Sequence, residues 1–150
     1  MLAAFGFIVA PAASARDATV EAPVRRMMDA FNKGDIAAVK TAHVPSPTIV
    51  DNVPPFAWSG PDAFDHWVAD LGKAEAADGT TGSTVTFAPV VDEVVSGDRA
   101  YIVTRSIYAF KRKGRRMREI GYTRFVLAKL GAEWKVASWN WASPAAVPVK

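Results

Sequence analysis

Residues 48–60 read T-I-V-D-N-V-P-P-F-A-W-S-G. Three β-branched residues, Thr48, Ile49 and Val50, lead into one carboxylate, Asp51. A rigid Pro54-Pro55 pair, two large rings (Phe56 and Trp58) and a stop at Gly60 follow. β-Branched residues favour extended backbone and the proline pair interrupts it, so the stretch predicts a strand running into a stiff loop. An acid at that junction, beside two rings, is what a pocket wall with one titratable group would contain. The same residues also suit a plain turn, since Asp before Asn is ordinary turn chemistry. The flanking chain bears on which reading holds.

Upstream, residues 19–33 predict a helix: Thr19 as N-cap, Glu21 in the first turn, and Val20, Val24, Met27, Met28 and Phe31 at helical spacing. A second, short helix is expected from the cap Asp35, with Ile36, Val39 and His43 on one face, ending before Pro45. Downstream, Pro61 opens a third helix over residues 61–77, with Phe64, Trp67, Val68 and Leu71 as its apolar stripe. After the loop D-G-T-T-G-S at 78–83 the period becomes two. Strands are expected at 84–95, with Pro89 marking an edge or a bulge, and at 99–111, 115–130 and 133–141. Lys113-Gly114 makes a hairpin turn between the second and third of these. In the last strand Trp134, Val136, Ser138 and Asn140 are expected to oppose Lys135, Ala137, Trp139 and Trp141. Helices followed by an antiparallel meander define an α+β fold. The expected form is a cone-shaped, curved antiparallel sheet with three N-terminal helices enclosing a pocket, residues 48–60 lining its mouth. Residues 144–150, rich in Pro and Ala, are expected to be a flexible tail.

The chain has 150 residues, half of them hydrophobic, enough for one domain with a real core. It lacks cysteine, so thiolate chemistry and disulfides are excluded, and its two histidines, His43 and His66, do not suggest a metal site. Residues 1–15 carry no charge and end in Ala13-Ser14-Ala15 before Arg16, which reads as an export signal and a periplasmic or secreted protein; the apolar run is too short to span a membrane. Residues 16–143 are then the domain. The net charge of +3 comes from a basic cluster at residues 111–118, K-R-K-G-R-R-M-R, without which acids outnumber bases. Without interleaved aromatics, it reads as a solvated hairpin tip and not as a nucleic-acid surface.

With these elements in order, the chain resembles the nuclear transport factor 2-like superfamily, and within it the SnoaL-like and ketosteroid isomerase-like proteins. The resemblance rests on Phe31-Asn32-Lys33-Gly34-Asp35, Ile49-Val50-Asp51, Trp58-Ser59-Gly60-Pro61-Asp62-Ala63, Gly97-Asp98-Arg99-Ala100-Tyr101 and residues 134–141, W-K-V-A-S-W-N-W. It implies the cystatin-like α+β roll, and it aligns the isomerases' base on Asp51. Their oxyanion-holding tyrosine falls on Met28 and their carboxylic acid near Tyr122 or Thr123. Histidines common in the last strand of SnoaL-like relatives fall on Ser138 and Asn140. That superfamily hosts several chemistries, so fold alone does not fix the activity.

The expected function is binding of a small, largely apolar ligand in a hydrophobic cone. Asp51 is the polar anchor and Phe56, Trp58, His66, Trp67, Tyr108, Ser138 and Asn140 contact the ligand. The alternative is a cofactor-independent isomerase or dehydratase with Asp51 as general base and Tyr122 or Asn140 as oxyanion donor. Burial beside the rings should raise the Asp51 pKa. No cofactor or metal is expected. A homodimer is expected through an outer sheet face carrying Trp139 and Trp141.

Overall fold

The computed structural model describes residues 18–150, so the expected export segment lies outside the described residues. Three helices come first: α1 (Ala18–Asn32), α2 (Ile36–Thr41) and α3 (Ala63–Asp78). Two short strands, β1 (His43–Val50) and β2 (Ala57–Ser59), separate α2 from α3. Four long strands follow, β3 (Thr80–Ser96), β4 (Arg99–Arg112), β5 (Arg115–Leu130) and β6 (Glu133–Ala142), then a two-residue β7 (Val147–Pro148). They form one curved, unclosed sheet in the order β2-β1-β6-β5-β4-β3, with β7 added to β5. The expected α+β roll is what the chain forms.

Local chemistry explains most boundaries. Asp35 caps α2 by accepting the Ala38 N–H at 3.0 Å. Gly79 ends α3 at φ 66°, a left-handed conformation that costs glycine little. Lys113 (φ 49°) and Gly114 (φ 80°) both take positive φ, as a two-residue hairpin turn that matches the sheet twist requires. Pro89 falls where the β3–β4 register shifts, on an edge strand, so its missing N–H disturbs little.

The structure departs from the sequence expectations in several places, and β3 begins at Thr80, inside the stretch 78–83 that was expected to be a loop. His43 starts β1 instead of ending α2, because the chain turns at Ala42 to pair with β6, His43 opposite Val136. β1 and β6 run parallel, whereas a purely antiparallel meander was expected. Within residues 144–150, expected as a flexible tail, Val147 pairs with Arg118 and Val149 N–H donates to the Arg116 carbonyl at 3.0 Å. Lastly, Leu127 pairs with Val136 but Val126 pairs with Ser138, so Ala137 is an extra residue and β6 is bulged there. The bulge reverses the inward phase, so that Trp134 and Val136 before it and Trp139 after it all pack on the core side.

The core joins one face of the sheet to α1 and α3. Val20, Val24 and Met27 of α1 and Phe64 and Trp67 of α3 pack with Ile102, Phe125, Leu127 and Val136. Each such side chain contributes about 1.5–3 kcal/mol on burial. A gap in this packing, between the helices and the concave sheet, is where the site lies.

Candidate functional site

The gap is a cavity of about 390 Å³. Its walls are the inner faces of α1 and α3, the 51–54 loop, and the concave ends of β4, β5 and β6. Most of the lining is apolar or aromatic, including Met28, Phe31, Trp67, Leu71, Phe125 and Trp139. Carboxylates from Asp51, Glu75, Asp78 and Glu119 interrupt it.

Asp51 sits where β1 gives way to the proline loop, and the loop closes on itself, Asp51 N–H to the Phe56 carbonyl at 3.1 Å and Phe56 N–H to the Val53 carbonyl at 2.7 Å. The Asp51 side chain takes two donors: Trp67 Nε1 on Oδ2 at 2.8 Å and the Asn52 backbone N–H on Oδ1 at 2.7 Å. Burial pushes its pKa up, the two donors draw it partly back, and the Glu119 charge pushes it up again, leaving it above the usual carboxylate value. The Trp67 ring is itself held edge-on to Trp139, centroids 4.9 Å apart.

Glu119 reaches the same end of the cavity from β5. Its Oε2 accepts from Ser143 Oγ at 2.8 Å, and from Asn52 Nδ2 and Trp141 Nε1 at 3.3 Å each. The C-terminal segment is therefore part of the wall. Behind the wall, buried His43 fixes Trp139. Its Nδ1 lies 2.9 Å from the Val39 carbonyl, which only accepts, and its Nε2 receives Trp139 Nε1–H at 3.1 Å, which only donates. These partners require the neutral ring with hydrogen on Nδ1, and burial lowers the His43 pKa in the same sense.

A second polar group lies further along α3. Glu75 Oε1 accepts from Ser83 Oγ at 2.6 Å and from the Tyr108 phenol at 2.7 Å, and the two hydroxyls are 2.9 Å apart. Burial and the neighbouring Glu75 raise the Tyr108 pKa well above the usual phenol value, so it keeps its proton. Next along the rim, Arg112 pairs with Asp78 at 3.2 Å and lies over the Phe110 ring, 5.2 Å from its centroid.

Of the sequence-predicted site residues, Asp51, Trp67 and Tyr108 line the cavity. The other six do not. Tyr122 is exposed, since alternation along β5 turns Glu119, Gly121 and Thr123 inward and Tyr122 outward. Phe56 takes φ 77° and its ring is exposed, because the left-handed turn aims it away from the loop interior. Trp58 is buried against α3, donating to Asp70 at 3.1 Å, behind the cavity rather than in it. His66 lies on the exposed face of α3, about 100° from Trp67. Ser138 and Asn140 are displaced by the Ala137 bulge, and Asn140 instead accepts from Arg124 on the outer face at 3.4 Å. The same bulge turns Trp139 and Trp141 into the wall, so neither belongs to an outer dimer face.

The structure adds Asn52, Glu75, Arg112, Glu119, Trp139 and Trp141 to the wall. Glu119 had a sequence signal: it stands in period-two phase with Phe125 and Leu127, so an inward apolar face carries an inward acid. Glu75 had a weaker one, being eight residues, or about 12 Å along a helix, from Trp67 and close to its stripe.

Residues 24–130 match the SnoaL-like domain family, and the chain belongs to it. Solved structures share the fold at low identity. A ketosteroid isomerase-like protein from Erwinia carotovora atroseptica is 20% identical, with a TM-score of 0.65 over 85% of this chain and 95% of that one. An NTF2-like protein with a cystatin-like fold from Novosphingobium aromaticivorans is 17% identical, with a TM-score of 0.66 over 83% and 79%. A hexachlorocyclohexane dehydrochlorinase is 10% identical, with a TM-score of 0.72 over 89% and 88%. Such identities establish a shared fold and no more. The sequence matches no curated protein. No helix among the described residues is long and apolar enough to cross a membrane.

Proposed function

We propose that this SnoaL-like domain binds a small, largely apolar molecule in its cavity, with Asp51 as the polar anchor. The observation that carries this reading is an aromatic-lined space of about 390 Å³ with the Asp51 carboxylate held in its wall by Trp67. Apolar walls supply affinity, and one or two fixed polar atoms supply orientation. Purified protein examined by native mass spectrometry, alongside Asp51→Asn, tests it. A co-purifying small molecule that is lost or weakened in the variant supports the reading. A cavity that takes up no apolar probe at millimolar concentration in either protein overturns it.

A second reading is proton transfer next to a carbonyl, favoured by the raised Asp51 pKa and by the fold shared with a ketosteroid isomerase-like protein. It needs an oxyanion donor, and here the single hydrogen of the Tyr108 phenol is already committed to the Glu75–Ser83 pair. Of the positions where the resemblance put the missing partners, Met28 is a thioether, Tyr122 is exposed, and Thr123 is a hydroxyl that Ser106 Oγ meets at 2.8 Å. Binding without turnover therefore accounts for more of the wall. Solvent deuterium entering small cyclic ketones with the native chain, and not with Asp51→Asn, would reverse that preference.

Two further proposals complete the reading. The exposed apolar groups on the outer sheet face, among them Tyr101, Ile107, Tyr122 and Val126, suit a homodimer interface, which light scattering tests through the mass in solution. Export to the periplasm or medium rests on residues 1–15, and cell fractionation tests it.

A further inference from the structure

The cavity wall holds four carboxylates and one cationic side chain, Arg112. Their partners differ. Glu119 takes donors from Asn52, Trp141 and Ser143; Asp51 takes two N–H groups; Asp78 is paired with Arg112. Glu75 meets neither a cation nor an N–H group. It accepts only the Ser83 and Tyr108 hydroxyls, both on Oε1, and among the described residues Oε2 accepts nothing. Beside it the Tyr108 and Phe110 rings lie 4.8 Å apart at 30°, forming an aromatic platform, and the Arg112 guanidinium over Phe110 shows that this platform accepts a cation. A half-buried carboxylate without a compensating charge is costly. A positive charge carried in by the ligand relieves that cost, whereas an anionic ligand would meet like charge at Asp51, Glu75 and Glu119.

We propose that the ligand is a small apolar amine, its ammonium seated on Glu75 and the Tyr108–Phe110 platform and its hydrocarbon body extending toward Trp67. This rests on the reading of the cavity as an apolar ligand site, not on Asp51 as its anchor, and names the ligand class. The span from Trp67 to Glu75, eight residues along α3, sets the ligand's length at about 12 Å or less.

The test uses three probes with one hydrocarbon body: adamantylmethylamine, the matching alcohol and the matching carboxylate, titrated at neutral pH against the fluorescence of the wall tryptophans. The amine is expected to bind about tenfold or more tighter than the alcohol, and the carboxylate about tenfold weaker than it. Glu75→Gln should bring the amine to within about threefold of the alcohol, an unchanged far-ultraviolet circular dichroism spectrum showing the variant to be folded. Tyr108→Phe, which keeps the charge, should preserve the amine preference. An amine no tighter than the alcohol, or a preference that survives Glu75→Gln, overturns the inference and leaves the cavity reading standing. Failure of all three probes overturns both together. Should Glu75→Gln not fold, the native comparison of amine with alcohol still decides.

Discussion

At the Asp51 end of the cavity a carboxylate is met by an indole N–H and a backbone N–H; at the Glu75 end a carboxylate is met by two hydroxyls on a single oxygen. The indole belongs to Trp67, which is 5% exposed and part of the core, whereas Ser83 and Glu75 are only half-buried. One end is therefore built by the same contacts that hold the fold. The other is built on the later turns of α3 and the start of β3, where little else depends on it. Changes at the first should cost stability, and changes at the second should alter ligand preference with the fold intact.

The largest effect tests this directly. Trp67→Ala removes a core ring and is expected to cost about 3–5 kcal/mol in urea unfolding, against about 1 kcal/mol or less for Tyr108→Phe. Equal losses would break the distinction between the two ends.

Next comes the joint between β5 and β6, which carries Glu119 and Trp141. A Cβ on Gly121 would run into the Ala142 carbonyl and the Ser143 Cα. Gly121→Val is expected to cost about 1–3 kcal/mol by chemical denaturation, by pushing apart the strands that bring Ser143 and Trp141 to Glu119. A variant as stable as the native chain would mean that the C-terminal segment is not held there.

Acid separates His43 from Asp51. The folded His43 pKa is lowered, so below the usual value near 6.5 the unfolded chain binds the proton first and stability falls as pH falls, by at most about 1.4 kcal/mol per pH unit. The folded Asp51 pKa is raised, so from the usual value of 3.8 upward to the folded value the native state holds more protons, and stability falls as pH rises. His43→Gln is expected to flatten the loss below about pH 6.5. Asp51→Asn should remove the fall in stability that accompanies rising pH from 3.8 toward the folded value. Paired denaturation curves read both, and slopes of the same sign would refute the assignment.

The smallest effect concerns the loop that presents Asp51. Phe56 is held at φ 77° with its ring 56% exposed, so it pays backbone strain and gains little packing. Phe56→Gly is expected to raise stability by about 0.5–1 kcal/mol in a thermal melt, with Asp51 unmoved.

Much of this was legible beforehand because it is local. The cap at Asp35, the stripe of Phe64, Trp67 and Leu71, the Lys113-Gly114 turn and the Pro89 edge follow from backbone preference and spacing within a few residues. Asp51 was legible for the same reason: a lone acid between a strand and a proline loop has few places to go. The residues misplaced by sequence reading share a different property. Tyr122, Ser138 and Asn140 depend on which strand face turns inward, and in β6 one unpaired residue, Ala137, reverses that choice for everything after it. Glu119 and Glu75 acquire their surroundings from residues 24 and 33 positions away, Ser143 and Tyr108.

The sequence by itself determined the helices, the strands, the α+β roll and the carboxylate at the end of β1, because propensity, capping and periodicity act over neighbouring residues. Only the tertiary structure decided which tryptophans form the wall, which acids face one another and which of them is met by hydroxyls alone. Strand phase, burial and charge pairing are set across the sheet, between residues the chain brings together only when it folds.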